Sequence, residues 1–125
     1  MMILTPVEDR ELMLSLKLGE DCAFGYLAQD GPAPLAAAGF SVREQTVVLE
    51  QVRFFGQPDA PLLDGLLRAA FAYAQQHGNT HYLIPAVRRF CGGVDLEGMG
   101  YETGEKAAIQ RFFEQVKNCK GRVKK

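Results

Sequence analysis

Three features of this 125-residue chain predict an α/β fold of the α+β kind, built on one mixed sheet. The first half carries strand-like runs separated by tight reversals, which implies an antiparallel meander. The second half carries a strand, a long amphipathic helix and another strand. Two strands joined through a helix that packs across them must lie parallel. A further helical repeat near the end supplies the third feature.

Taken in order, Met2 to Val7 reads as a short strand, and Glu8 to Leu18 as a helix with Leu12, Leu14 and Leu18 among its apolar positions and Gly19 as its stop. Cys22 to Gln29 reads as a strand. The DGPAP at Asp30 to Pro34 then turns the chain, because Gly31 allows positive φ and the prolines cannot join a ladder, so Leu35 to Val42 returns antiparallel. A second reversal at Arg43 to Gln45 leads into Thr46 to Arg53. There Val48, Glu50 and Val52 share one face and Val47, Leu49 and Gln51 the other, as in an inner strand with apolar character on both sides. Leu63, Leu66, Leu67, Ala70, Phe71 and Ala74 follow steps of three or four and form one helical stripe, closed by Gly78 and Asn79. Thr80 to Pro85 is a buried-looking strand. Ala86 to Cys91 is a candidate helix start before a glycine-rich stretch, Tyr101 to Gly104 a candidate strand, and Ala107 to Val116 a terminal helix with Ile109, Phe112, Phe113 and Val116 at helical spacing.

Composition narrows the classes of function. The length and a hydrophobic share of 47% suit a single domain over residues 1–125. Apolar windows are broken by charge or glycine before a membrane-spanning length, and MMILTPVEDRE lacks an export signal's basic start and greasy run, so a cytoplasmic protein is expected, with no membrane partner. Cys22, Cys91 and Cys119 are odd in number and widely spaced, which fits neither a disulfide framework nor a zinc knuckle, and no metal site is expected. The basic tail over 117–125 has no accompanying aromatic residues or second basic patch. It reads as a solvated end suited to the negative pole of a preceding helix, not as a nucleic-acid interface. His77, near a helix C-terminus, reads as a cap; with His81 it lacks a third metal ligand nearby in sequence.

The strand TVVLEQV, the helix PLLDGLLRAAFAYAQQHG, the strand THYLIP and the MGYE segment, in this order after a hairpin, resemble the GNAT superfamily of acyl-CoA-dependent N-acyltransferases. The likeness covers roughly the second two thirds of the chain and is one of pattern more than motif. Only one helix fits between the first two strands, where the family often has two. The resemblance implies a cleft between Thr46 to Arg53 and Thr80 to Pro85 that takes acetyl-CoA or another acyl-CoA. Val52, Arg53, Phe54, Gly56, Ala60 and Leu62 are then candidate cofactor-binding residues, and the acceptor is a small-molecule or peptide amine. A homodimer through an exposed strand or the terminal helix is compatible with so small a fold.

Departures from the family pattern are specific. Its Q/R-x-x-G-x-G/A turn binds pyrophosphate with backbone N–H groups at a helix N-terminus. Here Pro61 and Leu63 stand where the two glycines belong, and Asp59, as a helix N-cap, would satisfy the same N–H groups and repel a phosphate. Arg53, Gly56 and Pro58 form a second, partial R-x-x-G-x-P register ahead of the helix. For catalysis, an amine must lose a proton and a leaving thiolate must gain one. Glu50 is the candidate base, on an apolar strand face where desolvation would raise its pKa; the alternative is a carboxylate reaching solvent or pairing with an arginine. The family's acid tyrosine falls on Leu96, and Tyr101 replaces its phenylalanine. Tyr101 is the other catalytic candidate, and its alternative role is a core aromatic with a bonded hydroxyl. Cys91 precedes a double glycine but has no evident basic partner. Two readings follow: a divergent acyltransferase, or a GNAT-shaped binding module that has lost the phosphate turn and the acid.

Overall fold

The computed structural model describes residues 1–88 and 91–114. Its elements run β1 (Met2–Val7), α1 (Arg10–Ser15), β2 (Phe24–Asp30), β3 (Ala33–Arg43), β4 (Thr46–Phe54), α2 (Ala60–Gln76), β5 (His81–Leu83) and β6 (Ala107–Ala108). Helical turns follow over 109–114. The six strands stand in chain order across one sheet, antiparallel throughout except for the parallel pair β4–β5. The predicted mixed α/β sheet, with its antiparallel meander and its strand-helix-strand unit, is the fold observed.

Turn chemistry explains the meander. Asp30 pairs with Ala33 across Gly31 and Pro32, and Gly31 takes φ +58°. Pro34, expected in the turn, lies inside β3 opposite Gln29, where a register shift between Ala28 and Gln29 breaks the ladder and accommodates a residue with no N–H. Glu44 and Gln45 make the next reversal, both at positive φ, as a two-residue hairpin between twisted strands requires. The Gln45 carbonyl accepts from Thr80 and His81, and so fastens this hairpin to the start of β5.

The sheet separates two cores. On one face, α2 buries Leu63, Leu66, Leu67, Ala70, Phe71 and Ala74, the six residues of the predicted stripe. They meet Phe24, Ala36, Ala38, Phe40, Val47, Leu49 and Val52. Each fully buried leucine contributes roughly 1.5–3 kcal/mol of transfer free energy. On the other face α1 and the segment after it place Met13, Leu16, Leu18 and Cys22 over Val7, Leu27 and Ala37. Close approach there depends on Gly39, where an added Cβ would sit 2.7 Å from Cys22 Sγ and 2.9 Å from Leu18 Cβ. Gly39→Ala is therefore expected to lower stability by about 1–3 kcal/mol through overpacking, read as a lower urea midpoint.

Several predicted boundaries shift. The first helix starts later, at Arg10 with Asp9 as N-cap, and ends at Ser15 instead of Leu18, because Lys17 turns left-handed at φ 59° before Gly19 is reached. The second strand begins at Phe24, and β5 is limited to His81–Leu83. The segment 86–88 is not helical, and 91–99 is made of turns. Tyr101 to Gly104 forms no strand; the pairing next to β5 comes instead from Ala107–Ala108, which also delays the terminal helix to 109. The end of that helix and the tail 117–125 lie outside the described residues.

Candidate functional site

The site begins with an extra residue in β4. Phe40 pairs with Leu49 and Gly39 with Gln51, so Glu50 is a bulge with no partner across the β3–β4 ladder. The bulge reverses the alternation beyond it. Val52, expected to share a face with Val48 and Glu50, instead turns into the core beneath α2 and is 4% exposed.

The same point ends the contact with the other neighbour. Thr46, Val47 and Val48 pair with His81, Tyr82 and Leu83, and the β4–β5 ladder stops there. From Leu49 to Phe54, β4 has no ladder to β5, although it stays paired with β3 to its end. The two parallel strands therefore part at the bulge that presents Glu50.

Glu50 is exposed and does not lie on a buried apolar face. Its Oε2 accepts a hydrogen bond from Ser41 Oγ at 2.5 Å. Ser41 alternates with Ala37 and Gly39 and so faces the α1 side, and is itself buried at 7%. One carboxylate oxygen is thus held by a fixed donor while the residue stays open to an approaching solute.

Beyond the parting, the chain changes character. Arg53 lies over the Phe55 ring, 5.2 Å from its centroid. Gly56 is exposed, with open space where a Cβ would be. Asp59 caps α2: its Oδ1 accepts from the Leu62 N–H at 3.1 Å and its carbonyl from the Leu63 N–H at 3.0 Å. Pro61 has no N–H, which leaves Ala60 as the remaining donor of the first helical turn. Gly92 folds against this corner: a Cβ on it would lie 2.7 Å from Pro58 Cγ and 3.9 Å from the Phe54 ring.

No family model and no curated protein matches the chain. Solved structures similar in shape include two N-acetyltransferases. The ribosomal-protein-S18-alanine N-acetyltransferase from Escherichia coli superposes with a TM-score of 0.58 at 13% identity, over 82% of this chain and 78% of that one. The candidate N-acetyl transferase YhhK from E. coli, bound to coenzyme A, superposes with a TM-score of 0.50 at 14% identity, over 93% of this chain and 88% of that one. The chain has the GNAT fold.

How well the residues fit an acyl-CoA differs along the cleft. Among the described residues, β4 has no ladder partner on its β5 side from Leu49 to Phe54. The helix start does not fit a pyrophosphate in the same way, because Asp59 occupies the Leu62 and Leu63 N–H groups and adds a negative charge. Of the candidate cofactor residues, Arg53 is half-buried and Gly56 exposed, Phe54 packs against the α2-side core, the Val52 side chain is in the core, and Ala60 and Leu62 sit in a helical turn already capped.

Tyr101 is not brought to Glu50. Its hydroxyl donates to Asp64 Oδ1 at 2.6 Å, its ring stacks on Phe112 at 4.7 Å, and only 3% of the residue is exposed. Burial, and then the Asp64 carboxylate that accepts its hydrogen bond, push this phenol far above its ordinary range and make it a poor acid. It lies on the α2 side of the sheet, while Glu50 and Ser41 lie on the other. Tyr101→Phe is expected to cost about 1.5–3 kcal/mol, the value of a hydrogen bond to a charged group, in urea unfolding. Leu96, at the position of the family's acid, is fully buried in the core. Cys91 is also buried, and desolvation raises its thiol to about 11, far from a nucleophile's working range. His77 is the C-cap of α2, and no group of three or more metal-ligating residues occurs among the described residues.

Proposed function

We propose that this protein is an acyl-CoA-dependent N-acyltransferase in which Glu50 acts as base toward an amine, either a small molecule or a peptide. One observation carries the reading: β4 and β5 pair through Val48 and Leu83 and then part where a bulge presents Glu50. A bound acyl-CoA would supply an acyl group activated as its thioester. The chain contributes the strand edge from Leu49 to Phe54, whose backbone groups can bond an extended arm, and a carboxylate held by Ser41 that can take the amine's proton directly or through one water. Exposure of Glu50 leaves room for the acceptor on the α1 side of the sheet.

Thermal melting with acetyl-CoA tests this. A ligand that binds only the folded chain adds about 2.7 kcal/mol at one hundred times its dissociation constant, so the midpoint is expected to rise. An unmoved midpoint at millimolar acetyl-CoA would remove the enzyme reading.

A second reading, a binding module without turnover, is favoured by the capped helix start. Asp59→Gly tests whether the cap is what hinders the cofactor. Glycine is a tolerable N-cap, so stability should fall by only a few tenths of a kcal/mol, while loss of the charge and release of the Leu62 N–H should tighten coenzyme A binding, as read by calorimetric titration. Unchanged affinity would show that Asp59 is not the obstacle.

A further inference from the structure

On the α2 face of the sheet, away from Glu50, lies a cavity of about 260 Å³ bordered by Glu8, Phe24, Val42, Tyr73, His77 and Asn79. It exists because β2 begins at Phe24, opposite Phe40, while β3 continues to Arg43 and leaves Val42 beside a notch. The last turn of α2 covers this notch with Tyr73 and His77, and Glu8 closes one side from the β1–α1 junction. The volume falls just below the roughly 300–1,000 Å³ of drug-sized sites, so it suits a small molecule.

Its electrostatic character is one-sided. Glu8 accepts a hydrogen bond from the Tyr73 hydroxyl, which orients the carboxylate toward the aromatic wall. The 17-residue α2 ends here with no basic residue in its last turn, so its negative pole is directed at the same place. His77 Nδ1 lies 2.8 Å from the Tyr73 carbonyl, which can only accept, so Nδ1 is the donor of this pair. Phe24 and Tyr73 lie 5.0 Å apart and Tyr73 and His77 4.2 Å apart, forming a wall of electron-rich rings. Among the described residues the lining contains no lysine or arginine.

We propose that this cavity binds a small organic cation, with its ammonium group between Glu8 and the aromatic rings and its apolar part against Phe24 and Val42. A carboxylate, a helix C-terminus and aromatic rings all favour positive charge, and an anion of the same size would be repelled. The inference stands apart from the acyltransferase reading, since the site lies on the opposite face from the Ser41–Glu50 pair.

The test is an NMR titration of the full chain with choline, in parallel with 3,3-dimethylbutanol, its uncharged counterpart of nearly the same shape. Choline is expected to give saturable shifts in Phe24, Tyr73 and His77, and the alcohol to bind roughly tenfold more weakly, the loss expected for a cation–ring contact between the exposed and the fully desolvated cases. Glu8→Gln should weaken choline without weakening the alcohol. Equal binding of the two ligands by the unaltered chain, no saturable shift with choline at millimolar concentration, or choline affinity indifferent to Glu8→Gln would each overturn the proposal.

Discussion

Glu50→Gln is expected to lower kcat for acyl transfer by about 10²–10⁴-fold, the usual contribution of a positioned general base, with acetyl-CoA affinity unchanged. The reason is local. Glutamine keeps the length of the side chain, and its carbonyl can still accept from Ser41 Oγ, so the bulge geometry survives. What disappears is the ability to hold a proton taken from the amine. Steady-state rates with a reactive amine, alongside a urea midpoint to show that the variant is folded, separate chemistry from stability. Full turnover in the variant would remove Glu50 from the mechanism, whatever the affinity.

The second large effect concerns the scaffold. Phe71 is 1% exposed, stacks on Tyr82 at 4.6 Å, and meets Phe40, Tyr101 and Phe112 edge-on at about 6 Å. It joins α2 to β3, β5 and the terminal helical turns at once. Phe71→Ala is expected to cost about 3–5 kcal/mol in urea unfolding, since the four aromatic rings around it cannot collapse into the space it leaves. Against a total of roughly 5–15 kcal/mol for a domain, that is a large part of the stability. A loss below about 1 kcal/mol would mean that the helix does not seat on the sheet through this ring, and the placement of the cleft beside it would fail too.

What could be read in advance follows from how local each signal is. The α2 stripe was legible residue for residue because a 3.6-residue period needs no knowledge of the partner. Asp59 as a cap was legible for the same reason, and its bond to the Leu62 N–H is present. The β4 bulge was not. No glycine or proline marks Glu50; the shift is set by the pairing partner, where Gly39 lies under Leu18 and Cys22. Strict alternation puts Val52 on the wrong face and Glu50 on an apolar one, whereas Val52 is buried beneath α2 and Glu50 is exposed.

The C-terminal part misled for a related reason. Tyr101 to Gly104 has the composition of a strand, but Tyr101 is drawn inward by Asp64 and Phe112, and Gly104 spends its N–H on the Ile84 carbonyl at 2.7 Å, so the two-residue ladder forms later, at Ala107. The parting of β4 from β5 is also a relation between segments more than thirty positions apart. Sequence gave the two strands and their direction, and only the pairing register shows where they separate.

The most direct measurement is backbone amide NMR of the full chain during titration with acetyl-CoA. If the parted strands receive a thioester arm, saturable shifts should concentrate at Leu49 to Phe54 and at Ile84 to Ala86, with the β1–β2 ladder undisturbed. Shifts confined to other parts of the sheet, or none at millimolar ligand, would contradict the assignment of this cleft as the acyl-CoA site.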